Sequence, residues 1–360
     1  RPNLDVNHPD REPENLAITF DPVSAQYSFD HEGLHLHTEL LPPIDDIAIS
    51  MRVTVTNNRD KDIRLTAIPN LLPFISEAQL SPHDDPEWWT KTSLVRIKEA
   101  VGFLVRTFDG NAVKANRRNM ILWSEARDCT AAEISQEKFV GMGTLETPEA
   151  LQKEKLRLSP EQAAAWGEEG EAQLYGYPQT NALQYDFTLK KNESKTIRQV
   201  LVMFEPREDG ALPPKREADK MAAYLKDEVI EKQREKIIKE HMPVFHTRKV
   251  NTPDKDLNTY TNEWLSLQTY WGKHLTYPFF TLKGVRDAAN HFIPLIPMYP
   301  DFCRDNIKLL YTCQRNDGWF PRQYNPRGRN AKQDLRKHVD AGNWITEYIY
   351  EYICYTKDYG

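Results

Sequence analysis

Residues 183–203 read LQYDFTLKKNESKTIRQVLVM. Leu183, Tyr185, Phe187 and Leu189 alternate with polar residues, the run KKNESK is polar throughout, and Ile197, Leu201 and Met203 then return. An apolar period of two marks a strand with one covered face. The stretch therefore predicts a β-hairpin.

Working outward, the same period holds from Leu16 to Pro206. Ala17–Phe20, Ala25–Phe29, Leu34–Leu41, Ile47–Val55 and Ile63–Ile68 read as strands separated by Pro, Gly, Asn and Asp clusters. Many short strands with polar turns predict a large antiparallel β-sandwich over residues 1–208. His35 and His37 share one strand face, but no third ligand lies near them in sequence. They read as sheet-surface histidines, and no metal is expected. Trp88 and Trp89 sit in the polar run SPHDDPEWWTKTS, where they read as packing residues before they read as a sugar-stacking shelf.

After Pro213-Pro214 the period becomes helical. Met221, Leu225, Val229, Ile237 and Ile238 recur at three- and four-residue steps among Lys and Glu. Residues 209–253 are expected to form a helical linker that joins domains or lies along one. Thr252-Pro253-Asp254 resembles a helix start, and Leu257, Tyr260, Trp264, Leu267, Tyr270 and Trp271 follow at helical spacing, more as core than as a ligand shelf. Phe302–Cys313 and Trp344–Tyr355 read as amphipathic helices, with an irregular loop through Gly318–Gly328 between them.

Composition excludes several classes. The 360 residues carry a net charge of −6, so no overall field draws nucleic acid or an anionic membrane. No apolar run approaches the roughly twenty residues of a membrane span. Cys129, Cys303, Cys313 and Cys354 have neither metal-ligand nor redox spacing. The last three sit in apolar helical settings where buried free thiols are expected, which favours a reducing, cytoplasmic location. The Lys and Arg density of Arg322–His338 reads first as a solvated loop and second as an anion-handling one.

The functional residues crowd into Tyr277–Asp340, which runs from TYPFFTLKGVRDAANHF through QRNDGWFPRQYNPRGR to HVDAGNW. Aromatic faces, carboxylates and guanidinium groups together suit a polyol ring, with C–H faces to stack and hydroxyls to grip. Gly284-Val285-Arg286-Asp287 is similar to the Gly-aromatic-Arg-Asp signature of glycoside hydrolase family 94, the inverting cellobiose and β-glucan phosphorylases. KFVGMGTLETPEAL resembles a stretch of that family's N-terminal sandwich, Asp256–Gln268 the helix opening its toroid, and Asp340–Trp344 its Ser-Asp-Asp-x-x-Trp segment. The sequence departs from the family pattern at Asn290 and His291, which stand where Gln-Asp is usual, and at Ala341 in place of the second Asp. These departures point toward an outlying branch near the 1,2-β-oligoglucan phosphorylases.

The resemblance implies a sandwich, a helical linker, and over residues 254–360 the first part of an (α/α) six-hairpin toroid. It implies inverting phosphorolysis of a β-glucosidic bond to α-glucose 1-phosphate, with a β-glucan oligosaccharide and inorganic phosphate as substrates, no cofactor, and homodimers as a frequent assembly. Arg286, Asp287 and Asp340 are the expected sugar-binding residues, with Arg322 and Gln323 toward the acceptor side. The family's general acid lies in a Gly-Asp-Trp-Asn-Asp-Gly motif that does not occur before Gly360. The chain is therefore expected to be a truncated piece, inactive alone. The rival reading, second to sugar binding, makes Arg286–Asp287 a structural ion pair at a helix end; a helix-capping role for Asp340 stands level with its sugar role and is compatible with it. A hydrolase or transglycosylase on a similar toroid and a non-catalytic carbohydrate-binding module stay open beside the phosphorylase.

Overall fold

The computed structural model describes residues 13–21, 23–73, 90–107, 119–145, 147–176, 178–205, 211–240, 249–266, 268–269, 282–325 and 333–359. Trp88, Trp89, Leu267, Tyr270, Trp271 and the segment Tyr277–Thr281 lie outside the described residues. The chain forms two compact units, one of the described residues up to Glu240 and one of those from 249 onward.

In the first unit the strands are β1 Glu14–Phe20, β2 Ala25–His31, β3 Leu34–Leu41, β4 Ala48–Asn57, β5 Ile63–Ala67, β6 Asn70–Leu71, β7 Thr90–Ile97, β8 Ala100–Thr107, β9 Asn119–Glu125, β10 Cys129–Ser135, β11 Ala164–Ala165, β12 Gln173–Tyr175, β13 Gln179–Leu189 and β14 Ser194–Phe204. A short helix, α1 Gln136–Val140, follows β10, and α2 Lys215–Ala223 and α3 Asp227–Glu240 follow β14. The main sheet is ordered β1-β2-β3-β4-β14-β9-β8-β7-β11, with β12 also on β7; the smaller sheet is β10-β13-β5, with β6 on β13. Pairing is antiparallel except between β11 and β7.

Both faces of the main sheet are covered at its centre. Leu94, Val101, Phe103 and Leu122 pack against Ala132, Ile134, Leu183 and Tyr185 of the smaller sheet. Val95, Ile97, Leu104, Ile121, Trp123, Val200 and Val202 form a second core with Ala218 of α2, Tyr224 and Leu225 of the turn after it, and Ile230 and Ile237 of α3. A strand buried on both faces has no polar side to alternate with, which is why β9 reads NMILWSE. The helices of the expected linker thus lie along the sandwich. α3 is clamped there by Asp227, which accepts from Arg198 Nε at 2.9 Å and Nη2 at 2.7 Å and from Arg52 Nη2 at 2.8 Å.

The hairpin expected at 183–203 is corrected. β13 pairs with β10, β5 and β6, and β14 with β4 and β9. The polar turn therefore carries the chain from one sheet to the other. The fully buried Asn57 holds this corner, its Nδ2 donating to the carbonyls of Lys61, Leu189 and Lys190 at 2.9, 3.1 and 3.1 Å. Its own backbone carbonyl accepts from Asn192 N at 2.7 Å, where φ is +61°. Alternation sets which face a residue occupies; it carries no information on which strand lies beside it.

The second unit opens with α4 Lys255–Thr259, capped by Asp254, whose Oδ1 accepts from Asp256 N and Leu257 N at 2.9 and 3.0 Å. A wide turn, Tyr260–Trp264, continues it. The expectation of core positions here is corrected: Leu257, Tyr260 and Trp264 are about half exposed. The rest is a small sheet of β15 Lys283–Gly284 and β16 Gln323–Tyr324, with α5 Val285–Phe292, α6 Pro300–Thr312 and α7 Ala341–Thr356. Val285, Ala288, Ala289 and Phe292 line one face of α5 at helical spacing; Ala341, Ile345, Tyr348 and Tyr352 do the same on α7. Phe292 sits edge-on to Phe302 at 5.2 Å. The Tyr348 hydroxyl donates to Cys303 O at 3.2 Å. Cys303 and Cys313 are buried as expected, whereas Cys354 is exposed. Among the described residues no helix is long and apolar enough to cross a membrane.

Candidate functional site

The site follows from how α5 and α7 meet. Small residues, Ala288 and Ala289 on α5 and Ala341 on α7, are fully buried between packed helices, and the residues just outside that buried stripe are Arg286, Asp287 and Asp340. Arg286 Nη1 donates to Asp340 Oδ2 at 3.2 Å, and its Nε stands 3.7 Å from Asp287 Oδ1. One guanidinium therefore bridges its neighbour's carboxylate and one 54 residues further along the chain. All three side chains keep about a third or more of their surface open, at 43%, 32% and 42%.

Electrostatics favour the charged forms of Arg286 and Asp340. The hydrogen bond that Arg286 donates to Asp340 raises the affinity of Arg286 for its proton. For Asp340, partial burial alone would raise the pKa, but the Arg286 hydrogen bond and charge outweigh it and hold the carboxyl below its ordinary value. Asp340 occupies the N-cap position of α7 yet makes no side-chain cap. Its carboxylate is spent on Arg286 and on His338, whose Nδ1 lies 3.3 Å from Oδ1. The capping role that the sequence allowed is absent.

Asp287 lies over the glycine that opens α5. A Cβ built on Gly284 would overlap the Asp287 carboxylate, so the close approach of side chain to backbone requires glycine there. Gly284 also pairs with Gln323 across β15 and β16, and Val285 N donates to Arg322 O at 3.1 Å. Backbone pairing thus sets Arg322 and Gln323 against the start of α5. The Arg322 guanidinium turns elsewhere, to Asp334 at 3.8 Å. Asp334 is gripped more firmly by Arg336, which donates from Nε at 2.9 Å and from Nη2 at 2.6 Å. Of the five expected site residues, three share direct side-chain contacts and two adjoin them through backbone. Asn290 and His291 are exposed further along α5. Neither His338 nor the Asp334–Arg336 pair stood out in sequence; the only trace of His338 is its spacing of two from Asp340.

The described residues hold no group of three or more His, Cys, Asp or Glu side chains placed to bind a metal. His35 Nδ1 hydrogen-bonds to the Asp30 carboxylate at 2.7 Å, and among the described residues it belongs to no such group. What the cluster offers chemically is a fixed pair of carboxylates and a guanidinium at the mouth of two helices, suited to bidentate hydrogen bonding of neutral hydroxyls.

The sequence profile of the glycosyl hydrolase 94 supersandwich domain matches residues 6–223, more than half of the chain. The chain belongs to glycoside hydrolase family 94. In this family 94 chain the matched span takes in the sandwich and α2. A search of the curated proteins gives no match. Among solved structures, a bacterial glucoamylase in complex with acarbose covers 96% of the chain at 9% identity and a TM-score of 0.58. A protein assigned as a kojibiose phosphorylase, from the human microbiome, covers 93% at 12% identity and a TM-score of 0.46. At such identity the glucoamylase likeness speaks to fold alone, a sandwich followed by helices. The family 94 chain spans less than half the length of either, 48% and 42%.

Proposed function

We propose that this chain is the sandwich and first helical part of an inverting glycoside phosphorylase that cleaves β-glucosidic bonds to α-glucose 1-phosphate. Family membership makes it part of a carbohydrate-active enzyme. The observation that carries the finer reading is the Arg286 bridge between Asp287 and Asp340. It preorganises two hydroxyl acceptors at the positions where the sequence resembles the family's sugar-binding signatures.

In this mechanism phosphate attacks the anomeric carbon in place of water. The two-carboxylate scheme of inverting hydrolysis reduces to one acid, because phosphate brings the nucleophilic charge that a base would otherwise generate. Asp287 and Asp340 accept hydrogen bonds from the sugar on the non-reducing side of the bond, and Arg286 fixes both. Arg322 and Gln323 border the acceptor side. The resemblance implies a general acid, and no residue of this chain is assigned that role. Neither a metal nor an organic cofactor has a role in these steps.

The test is cleavage of β-1,2-, β-1,3- and β-1,4-glucans by the full-length protein with and without phosphate, reading glucose 1-phosphate. Phosphate-dependent release from one glucan supports the reading and names the linkage. Reducing sugar released equally without phosphate replaces it with a hydrolase, and binding without any product replaces it with a binding module.

A further inference from the structure

His338 is in side-chain contact with Asp340, and no family signature quoted above includes it. Its Nδ1 faces Asp340 Oδ1 at 3.3 Å while Arg286 Nη1 holds Oδ2 at 3.2 Å, so each carboxylate oxygen has its own holder. The surrounding charges leave His338 to this task. Arg336, on the same segment, is engaged by Asp334, and the Lys337 ammonium sits over the Trp319 ring at 4.9 Å. From α5 the facing groups are Arg286 and, through it, Asp287. The backbone at His338 is held as well, since Ala341 N donates to His338 O as α7 begins.

We propose that His338 is a positioning residue for sugar binding. It donates from Nδ1 and, with Arg286, stops the half-exposed Asp340 side chain from rotating, so that the oxygens' remaining lone pairs point in fixed directions at incoming hydroxyls. The inference rests on the reading of Asp287 and Asp340 as sugar ligands. A carboxylate ordered before binding spares the ligand the cost of ordering it, which for one side chain amounts to about three- to tenfold in affinity. Asn carries an amide N–H near the position of the imidazole Nδ1, whereas Ala carries no donor.

The experiment is calorimetric titration of β-1,2-, β-1,3- and β-1,4-linked glucose disaccharides into the full-length protein, with melting temperatures recorded in parallel. The variants are His338→Ala, His338→Asn and Asp340→Asn. Expected are a three- to tenfold weaker affinity for His338→Ala, recovery to within about twofold for His338→Asn, and unchanged melting temperatures. An unchanged affinity in His338→Ala, while Asp340→Asn weakens binding, overturns the role of His338 and leaves the sugar site standing. Equal losses in His338→Ala and His338→Asn, accompanied by lower melting temperatures, also overturn it, because they mark a structural role. An unaffected Asp340→Asn overturns the underlying site assignment and this inference with it.

Discussion

Replacing Asp227 by Asn removes the carboxylate that two arginines of the main sheet share. Arg52 and Arg198 are directly opposite one another in the β4–β14 register, a like-charge pairing that destabilises a sheet unless something lies between them. Asp227, the first residue of α3, fills that place, and the positive end of the helix favours its charge. The Arg198 hydrogen bonds, then those of Arg52, overcome the cost of partial burial and pull the Asp227 pKa from 3.8 to about 2. At about 1.36 kcal/mol for each tenfold change in proton affinity, the undiscounted effect is about 2.4 kcal/mol. Asp227 is 55% exposed, and solvent screening reduces the figure to about 1 kcal/mol.

The sign follows from linkage. A carboxyl with a depressed folded pKa contributes its stability above pH 3.8 and loses it as pH falls toward 2. Asp227→Asn should therefore melt about 2–4 °C below the parent at pH 7, with a smaller gap in high salt. The gap should close between pH 4 and pH 2. Differential scanning calorimetry across that range measures it. A gap that persists undiminished at pH 2 would refute the charge clamp and assign the loss to packing.

Two other substitutions probe the scaffold and the site. Asn57→Ala should cost about 1–3 kcal/mol by leaving three carbonyls at the inter-sheet corner, that of Leu189 buried, without their donor, checked by chemical denaturation; a loss under 0.5 kcal/mol would show that water replaces the side chain. Gly284→Ala should displace the Asp287 carboxylate and lower sugar affinity at least tenfold while the fold survives, checked by titration beside circular dichroism. Intact affinity would show that Asp287 is not held against that glycine.

Much of the sandwich was legible because β2, β3, β4, β13 and β14 each keep one face toward solvent or a polar layer for part of their length. β7 to β9 were harder to read. Their buried runs, such as NMILWSE, lose the period of two once helices cover the second face. Partner choice was invisible as well, since the KKNESK turn suits a hairpin and an inter-sheet corner equally, and Asn57, more than a hundred residues earlier, makes it a corner. At the site, Arg286, Asp287 and Asp340 were legible as residue types in a familiar order. That Asp340 spends its carboxylate on Arg286 and His338 and leaves α7 uncapped depends on how α5 and α7 pack, which spacing does not encode. The half-exposed Leu257, Tyr260 and Trp264 show the converse failure, a helical apolar period without full cover among the described residues.

The central claim is that Asp287 grips sugar, and the most direct measurement is oligosaccharide affinity of Asp287→Asn beside its unfolding temperature, in the full-length protein. The account predicts an affinity loss of at least tenfold, the worth of a hydrogen bond to a charged acceptor, with the unfolding temperature unchanged. Unchanged affinity with a lowered unfolding temperature would contradict it and make Arg286–Asp287 an ion pair that merely braces the start of a helix.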